Sequence, residues 1–483
     1  MARYQIDGIS KDQLDKIHHA SIKLLKNPGI KIESEEAAEI FHGAGSEIVK
    51  KRDGFIVKVP PSVVDDCVQW APERFVLYGR DPKYDHLVEP GSSCFTLFGE
   101  NIYVNDLYTL KHRTCKKKDL EDATRLADAL SEFAIIEKCL GSQDKPAETQ
   151  SLHNYEAMVS NTSKHVLHGF FSGRNAKKIV EMAAACVGGM QKFLERPCVT
   201  TTVCPTSPLT LVKNCCDVII ACSRLGVGIC SITMPLSGTT APATIAGTLV
   251  VQNAELLGSL VLTQLTAKNT PFIYGSVGTI MDLKLGNPAV AAPECGVLNV
   301  GTAKMAQYYK IPSWCGSGVS GSKKMDVQAA YEFNTNTAVA LLAGSNVVFG
   351  CGSIESGLTF DFAKLILDAE QLKNLKWIKN GMDVSEETMA LETIQNVGPG
   401  GEYLTSTHTL QHMRSMSQSD LFDRMDRDAW VNKIGGKDIV ERAYEKARFL
   451  IENHKPMALP KGATEAMKAI IKGSSSNTSN PAL

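Results

Sequence analysis

Three glycines in the segment IPSWCGSGVSGSKKMDVQAAYE, namely Gly316, Gly318 and Gly321, form a G-x-G-x-x-G motif. Such a motif binds dinucleotide phosphates when it joins a strand to a helix and an acidic residue follows about 20 positions later. The corresponding stretch, AVALLAGSNVV, is uncharged, and the Ser-Lys order is the reverse of that in a P-loop. An NAD-dependent oxidoreductase therefore remains only an alternative. We favour a tight loop whose backbone amides surround a small acid or an open space.

Two carboxylates occupy positions that could place a negative charge in a site. Glu255 lies inside a long apolar stretch, and Glu355 follows the last predicted strand in GSIESGLTF. A carboxylate in apolar surroundings needs a partner, so Glu255 is expected to pair, to cap a helix or to face a polar cavity. Either carboxylate could be the counter-charge for a cation.

Histidines are the next candidates for ligands or bases. His168 lies at the end of the third predicted strand, where it belongs either to a site or to a satisfied core. His408 and His412, in HTLQH, lack the glutamate of an H-E-x-x-H metalloprotease. The cysteines lack the repeated close spacing of a zinc site. We therefore predict no metal site.

Aromatic residues gather at the ends of the predicted strands. Most such rings fill the core of a barrel, but as a group they could bind a quaternary ammonium through cation–π attraction of ~1–2 kcal/mol per ring. The group comprises Phe95, Phe98, Phe170, Phe171, Tyr274, Trp314, Phe349 and Phe360.

The elements that must position these residues alternate between short β-prone runs and long helical stretches. Eight such runs, separated by roughly 30–45 residues, predict an α/β fold of the (β/α)8 barrel type over residues 91–360. A doubly wound sheet is the alternative. Residues 1–90 are predicted to form an N-terminal α/β appendage, residues 361–472 a C-terminal helical cap, and residues 473–483 a disordered tail. The apolar stretch 241–265 is expected to be buried or to contact another subunit, and we expect a homo-oligomer.

The composition excludes several classes of protein. The 483 residues carry a net charge of −1, which gives no reason to expect nucleic acid or a membrane as a partner. Fourteen cysteines contain no C-x-x-C pair, and the N-terminus has no apolar signal segment. No run approaches the ~18 consecutive apolar residues of a membrane helix. We therefore expect a cytoplasmic protein with reduced thiols.

Four phrases identify the chain as resembling the trimethylamine methyltransferase family. They are SGTTAPATIAGTLVVQNAELL, GSKKMDVQAAYE, GCGSIESGLTFDFAKLILDAEQL and GPGGEYLTSTHTLQHMR, with APERFVLYGRD nearer the N-terminus. The resemblance implies a TIM barrel that passes a methyl group from an amine to a cobalt corrinoid carried on a separate small protein. Founding members carry pyrrolysine before a Ser-Lys pair, and here Val319 stands at that position. A valine can neither form an adduct with an amine nor relay a proton.

The resemblance therefore points to the branch without pyrrolysine, whose members demethylate quaternary amines. It implies no tightly bound cofactor, because a cognate corrinoid protein supplies the acceptor. Val319 would mark the catalytic site, with Glu255 and Glu355 supplying negative potential. The expected substrate-binding residues are Phe98, Tyr274 and Phe349 around the methyl groups, and His168 or Lys323 at the carboxylate. Glycine betaine or proline betaine is favoured. Carnitine, γ-butyrobetaine and a non-catalytic betaine-binding protein are the alternatives.

Overall fold

Eight parallel strands form a closed barrel at the centre of the computed structural model, which describes residues 4–316 and 318–475. Neighbouring strands pair in parallel from β2 round to β1, and a bridge between Phe95 and Phe133 joins β1 to the β2 side. The predicted (β/α)8 barrel is therefore confirmed. The strands are β1 (Cys94–Leu97), β2 (Ile135–Glu137), β3 (His165–Gly169), β4 (Val199–Val203), β5 (Gly228–Thr233), β6 (Phe272–Ser276), β7 (Ser313–Trp314) and β8 (Val347–Cys351).

A ring of helices covers the outside of the barrel. Several begin at the cap that their sequence predicts, because a serine, threonine or aspartate side chain accepts a hydrogen bond from the first turn, as Thr244 and Asp361 do. The helices are α1 (Lys117–Ala129), α2 (Gln150–Val159), α3 (Gly173–Val187), α4 (Lys213–Arg224), α5 (Ile245–Thr266), α6 (Pro293–Tyr309), α7 (Val327–Leu342) and α8 (Phe362–Lys379), with a short helix at Met190–Glu195 after α3.

An N-terminal layer packs on α5. Its first helix starts at a capping box, in which Ser10 and Gln13 exchange side-chain and backbone hydrogen bonds. A side chain at Gly258 of α5 would come within 2.6 Å of Ile30, so glycine permits the close contact. The layer contains helices Lys11–Lys26, Glu35–Gly43 and Pro61–Trp70 and strands Ile30–Ile32, Glu47–Lys51 and Gly54–Lys58, with Thr210–Leu211 joining that sheet.

Helix α5 is long and apolar enough to cross a membrane by composition, and most of it is buried inside the protein. It packs against the N-terminal helices and its own barrel strand, so the apolar stretch that we considered for a subunit contact is covered within the chain. Burial of most of its length explains its high hydrophobicity, and Glu255 is its one charged residue.

Short hairpins and C-terminal helices complete the fold. Helix α8 directly follows the last barrel strands, and this position favours counting residues 362–379 with the barrel; the domain limits themselves stay a prediction. The tail predicted over 473–483 lies outside the described residues from 476 onward. The remaining elements are strands Phe75–Leu77, His86–Val88, Tyr103–Asn105, His112–Thr114, Leu236–Ser237, Thr279–Asp282, Asn287–Ala289, Ser353–Ile354 and Thr359–Asp361; 3-10 turns Pro82–Tyr84, Glu355–Gly357 and Met413–Ser415; and helices Glu386–Met389, Leu391–Val397, Thr407–His412, Arg427–Ile434, Ile439–Asn453 and Ala463–Ser475.

Candidate functional site

The alternation of side chains along each strand divides the candidate residues between two faces of the barrel wall. In β6, Ile273 joins a cluster inside the barrel, whereas Tyr274 belongs to the core between the strands and the outer helices. Because successive side chains of a strand point to opposite faces, this parity decides which residues can reach the barrel mouth. The interior cluster includes Cys94, Ile135, Leu167, Cys230, Ile232, Ile273, Trp314, Val319, Val347 and Phe349.

Three rings form an aromatic floor at the carboxyl end of the barrel. Trp314 and Phe349 are stacked with centroids 3.6 Å apart and planes 2° apart. Phe98 meets both edge-on, at 5.0 Å and 5.1 Å. Trp314 and Phe349 are fully buried, whereas Phe98 is only partly buried, so Phe98 presents the accessible ring of the floor. Val319 is 2% exposed and belongs to the same cluster.

The loop that carries Val319 is held from behind by hydrogen bonds. The Gly318 amide donates to the Phe349 carbonyl at 2.8 Å, and Lys364 Nζ donates to the Gly318 carbonyl at 2.7 Å. The same ammonium donates to Asp368 Oδ2 at 2.6 Å, and both side chains are buried. A side chain at Gly350, which has a φ of 102°, would come within 2.8 Å of the Val319 nitrogen. Glycine is therefore required for the loop to lie this close to β8.

Donors of the glycine motif form hydrogen bonds with other groups of the same chain. The Gly321 amide and the Ser320 hydroxyl donate to Glu332 Oε2 at 2.8 Å and 2.6 Å. Asp326 caps α7 by accepting from the Ala329 amide at 3.0 Å. The chain's own carboxylates thus occupy the donors that a dinucleotide phosphate would need. Lys323 is exposed, and its ammonium donates to the carbonyl of Gly321 at 2.8 Å.

Glu137, which the sequence analysis did not select, ends β2 and faces into the barrel. Its side chain is 2% exposed, and its Oε2 accepts from Trp314 Nε1 at 2.9 Å. Among the described residues, its Oε1 has no hydrogen-bond partner. Burial raises the pKa of Glu137 well above its usual range. The parity of β2 was the signal that could have found it, because Ile135 lies inside, Ile136 outside, and the next side chain returns inward.

The rim around Glu137 combines a thiol with an ion pair. Lys138 donates to Glu100 Oε2, and its ammonium lies 5.9 Å from the centre of the Phe171 ring. Cys204 follows β4 and is accessible to solvent. Even so, desolvation by surrounding groups raises the pKa of its thiol to about 12, with further contributions from Glu100 and Glu137. We call the carboxyl end of the barrel around Phe98, Glu137 and Cys204 the barrel mouth.

Glu255 lies on the outer face of the barrel wall, between α5 and the strands. Its Oε2 accepts from Ser207 Oγ at 2.9 Å and from Thr233 Oγ1, and its Oε1 accepts from the Leu209 amide at 2.9 Å. Burial raises the pKa of this carboxyl, and the three donors oppose that shift. The pairing that we expected is present, and it ties the loop after β4 to α5 away from the aromatic floor.

The structure also directs the side chains of His168, Tyr274 and Glu355 away from the floor, although the backbone amides of Glu355 and its neighbour donate to carbonyls of the loop that carries Val319. His168 Nε2 donates to the Ser151 carbonyl at 2.9 Å behind β3, and burial lowers the pKa of this imidazole to about 3. The Tyr274 hydroxyl donates to Asn253 Oδ1 at 2.7 Å on the α5 side. Glu355 accepts from Thr359 Oγ1 at 2.6 Å, and its carboxylate lies 3.7 Å from the imidazole of His112. Of the eight candidates, Val319, Phe98 and Phe349 are brought together.

Two other features limit what the site can hold. Within residues 4–316 and 318–475, no group of three or more His, Cys, Asp or Glu side chains is placed to bind a metal ion. A cavity of about 290 Å³ is lined by Glu89, Lys310 and Asn346, beside the amino ends of β7 and β8. It opens on the opposite end of the barrel from the aromatic floor, where barrel enzymes rarely carry out chemistry.

Comparisons with known proteins identify the family of this chain. The profile of the family described as trimethylamine methyltransferase (MTTB) matches residues 2–477. A trimethylamine methyltransferase of Desulfitobacterium hafniense (strain DSM 10664 / DCB-2) is 40% identical over 97% of this chain and 94% of its own length. One from Methanosarcina barkeri is 34% identical over 97% and 95%. A glycine betaine methyltransferase of Desulfitobacterium hafniense (strain Y51) is 29% identical over 98% and 97%.

A solved structure supports the fold. The monomethylamine methyltransferase of Methanosarcina barkeri aligns with a TM-score of 0.55 over 94% of this chain and 89% of its own, at 13% identity. At that identity the likeness concerns the fold alone. The family match over nearly the whole chain and the identity to the relatives carry the assignment. The chain belongs to the trimethylamine methyltransferase family.

Proposed function

We propose that this protein transfers a methyl group from a quaternary amine to the Co(I) corrinoid of a separate carrier protein. The favoured substrates are glycine betaine and proline betaine, with carnitine and γ-butyrobetaine as alternatives. The acceptor is a second substrate, so the chain supplies binding, orientation and exclusion of water, and the cobalt supplies the nucleophile. The barrel mouth, with Phe98 as its accessible ring, is the proposed place of reaction.

The observation that carries the proposal is Val319. It is buried beside the aromatic floor, and the resemblance implies that it stands where the founding members of the family carry pyrrolysine. An aliphatic side chain offers no group that could capture or protonate a tertiary amine. A quaternary nitrogen needs neither, because it already carries a full positive charge and leaves as a neutral tertiary amine.

The electron balance of the proposed step is simple. The two electrons of Co(I) form the new cobalt–carbon bond, and the carbon–nitrogen pair departs with the amine. No proton is gained or lost by the substrate. The chain's contribution is to hold the methyl group in line with the acceptor, and positioning of this kind accounts for a large part of such rate accelerations.

Overall identity does not choose the substrate. Identity to the trimethylamine methyltransferase of Desulfitobacterium is higher than to the glycine betaine methyltransferase, 40% against 29%. Both values describe the whole chain, whereas the choice between a tertiary and a quaternary amine depends on the few side chains around the mouth. We therefore base the proposal on Val319 and its neighbours.

The test combines the purified protein with a corrinoid carrier protein reduced to Co(I). Each substrate is supplied separately: glycine betaine, proline betaine, carnitine, γ-butyrobetaine and trimethylamine. We expect a betaine to convert the Co(I) spectrum to that of methyl-Co(III), with the demethylated amine detected by NMR, and no turnover of trimethylamine. Free cob(I)alamin serves as an acceptor that requires no protein docking.

Two results would contradict the proposal. Turnover of trimethylamine alone would show that Val319 does not impose a quaternary substrate. Tight binding of a betaine whose methyl groups all remain in place, alongside a competent acceptor, would identify a betaine-binding protein instead of an enzyme.

A further inference from the structure

We propose that Glu137 is the counter-charge for the quaternary nitrogen of the bound amine and releases a proton when the cation enters the barrel mouth. The inference rests on the proposed function only for the class of ligand. It assigns the recognition of positive charge to a residue on the inner face of the wall, in place of the outer-face Glu255.

The carboxyl group of Glu137 is incompletely hydrogen-bonded. Trp314 Nε1 donates to Oε2, whereas the buried Oε1 has no partner in the part of the chain that the structure describes. Buried polar atoms are almost always paired, because leaving one unpaired costs about 1–3 kcal/mol. At the carboxyl end of a barrel strand, such an unpaired oxygen is available to a ligand.

Glu255 and Glu137 are both buried, but they receive different numbers of hydrogen bonds. Glu255 receives three donors from the chain, shared between both of its oxygens. Glu137 receives one, although a lysine follows it in the sequence, because Lys138 pairs with Glu100. The fold can therefore supply hydrogen-bond donors to both oxygens of a buried carboxylate, but it does not do so for Glu137 at the barrel mouth.

The surroundings of Glu137 inside the barrel are mainly apolar. Glu137 shares the barrel interior with the apolar side chains of Leu167, Ile232 and Phe349. Glu137 lies close enough to Cys204 for its ionised form to raise the pKa of that thiol, which places the carboxyl within electrostatic range of the accessible mouth. In such a low-dielectric setting, an ion pair with a cation is much stronger than in water.

The charged and titratable groups facing Glu137 determine the sign of the pH dependence. Glu100 and Lys138 pair with each other, and burial raises the pKa of both the Cys204 and Cys230 thiols, so these thiols stay neutral. Burial likewise keeps Glu137 protonated when the mouth is empty. A bound cation favours the ionised form. Binding should therefore release a proton at pH values between the pKa of Glu137 in the complex and its raised pKa in the empty mouth, and affinity should increase with pH across that interval.

The experiment uses a matched pair of ligands with the full-length protein and no acceptor. Glycine betaine and 3,3-dimethylbutyrate have the same shape and the same carboxylate, but the second carries carbon in place of the cationic nitrogen. Calorimetry in two buffers of different ionisation enthalpy gives the dissociation constant and the number of protons released, between pH 6 and 9. We expect the wild-type protein to prefer betaine and to release up to one proton.

Two variants test whether Glu137 causes the preference for betaine and the release of the proton. In Glu137→Gln, we expect betaine to bind about tenfold more weakly, the affinity of 3,3-dimethylbutyrate to change little, and the proton release to disappear. Glu255→Gln, a change of the outer-face carboxyl, is the control and should keep both the preference for betaine and the proton release. Thermal melting establishes that each variant is folded.

The outcomes separate the two proposals. Absence of binding by any quaternary amine contradicts the proposed function. Binding of betaine without proton release, together with an unchanged preference in Glu137→Gln, contradicts only the role of Glu137. If Glu137→Gln does not fold, the wild-type protein and Glu255→Gln still test the role of Glu137. Proton release that persists in Glu255→Gln supports this role. Absence of proton release from the wild-type protein contradicts it.

Discussion

The inner and outer faces of the barrel wall use similar residues for different purposes. On the outer face, Tyr274 and Glu255 donate to or accept from groups of the same chain and hold helix α5 against the strands. On the inner face, Phe98 keeps an accessible ring and Glu137 keeps an unpaired oxygen. Position at the end of a strand therefore does not by itself make a residue functional. Changes on the outer side should reduce stability, and changes on the inner side should alter ligand binding.

The largest effect should come from the buried ion pair behind the Val319 loop. Lys364→Met leaves Asp368 as an unpaired buried charge and removes the donor to the Gly318 carbonyl. We expect the free energy of unfolding to fall by about 3–5 kcal/mol, measured by urea denaturation. The double variant Lys364→Met/Asp368→Leu removes both charges and should recover most of that loss. Equal losses in both variants would show that the ion pair is not the cause.

The next effect concerns the outer carboxyl. Glu255→Gln weakens three hydrogen bonds, and we expect a loss of about 2 kcal/mol in the free energy of unfolding with no change in ligand preference. Burial raises the pKa of Glu255 above its ordinary value of 4.5, so the native state holds this proton more tightly than the unfolded state. The contribution of this proton to stability is present below pH 4.5 and is lost as the pH rises through the folded pKa. Urea titrations at several pH values should show this decline in the wild-type protein and a flatter profile in Glu255→Gln.

Much of the fold could be predicted from the sequence. The eight strands are short apolar runs separated by helical stretches, and this local pattern is retained in the structure because a parallel barrel strand is buried on both faces. The cap at Ser10 depends on a few neighbouring residues and was equally readable. The division of residues 386–412 of the predicted helical cap into three short helices was not, because none of these three helices has a buried residue to reveal its limits.

The site was harder to predict because it depends on parity. A shift of one residue moves a side chain from the barrel interior to the helix layer. The ends of strands are uncertain by about two residues when they are predicted from sequence. Tyr274 and Phe349 were therefore equally good candidates for side chains that face the barrel interior. Glu137 was missed because it sits in a run of mixed character, although Ile135 and Ile136 fix its direction once the strand is located.

A pair of aromatic substitutions tests the two faces directly. Phe98→Leu removes the accessible ring but keeps an apolar side chain, and we expect the dissociation constant for glycine betaine to increase roughly fivefold. Tyr274→Phe is the outer-face control. It loses the hydrogen bond to Asn253, which should cost about 1 kcal/mol of stability without changing the dissociation constant. Calorimetric titration and urea denaturation of both variants measure the two quantities. A change in affinity in Tyr274→Phe alone would reverse the assignment of the faces.

The smallest effect is expected at Lys323, which we considered as a partner of the substrate carboxylate. Its ammonium is exposed and donates to the carbonyl of Gly321 in its own loop. Lys323→Ala should therefore change the free energy of unfolding by less than about 0.5 kcal/mol and leave betaine affinity within about twofold. Choline, which carries the same cationic head group without a carboxylate, provides the comparison. If the variant binds betaine more weakly but choline equally well, Lys323 recognises the carboxylate, and the boundary of the site then extends from the barrel interior to this exposed loop.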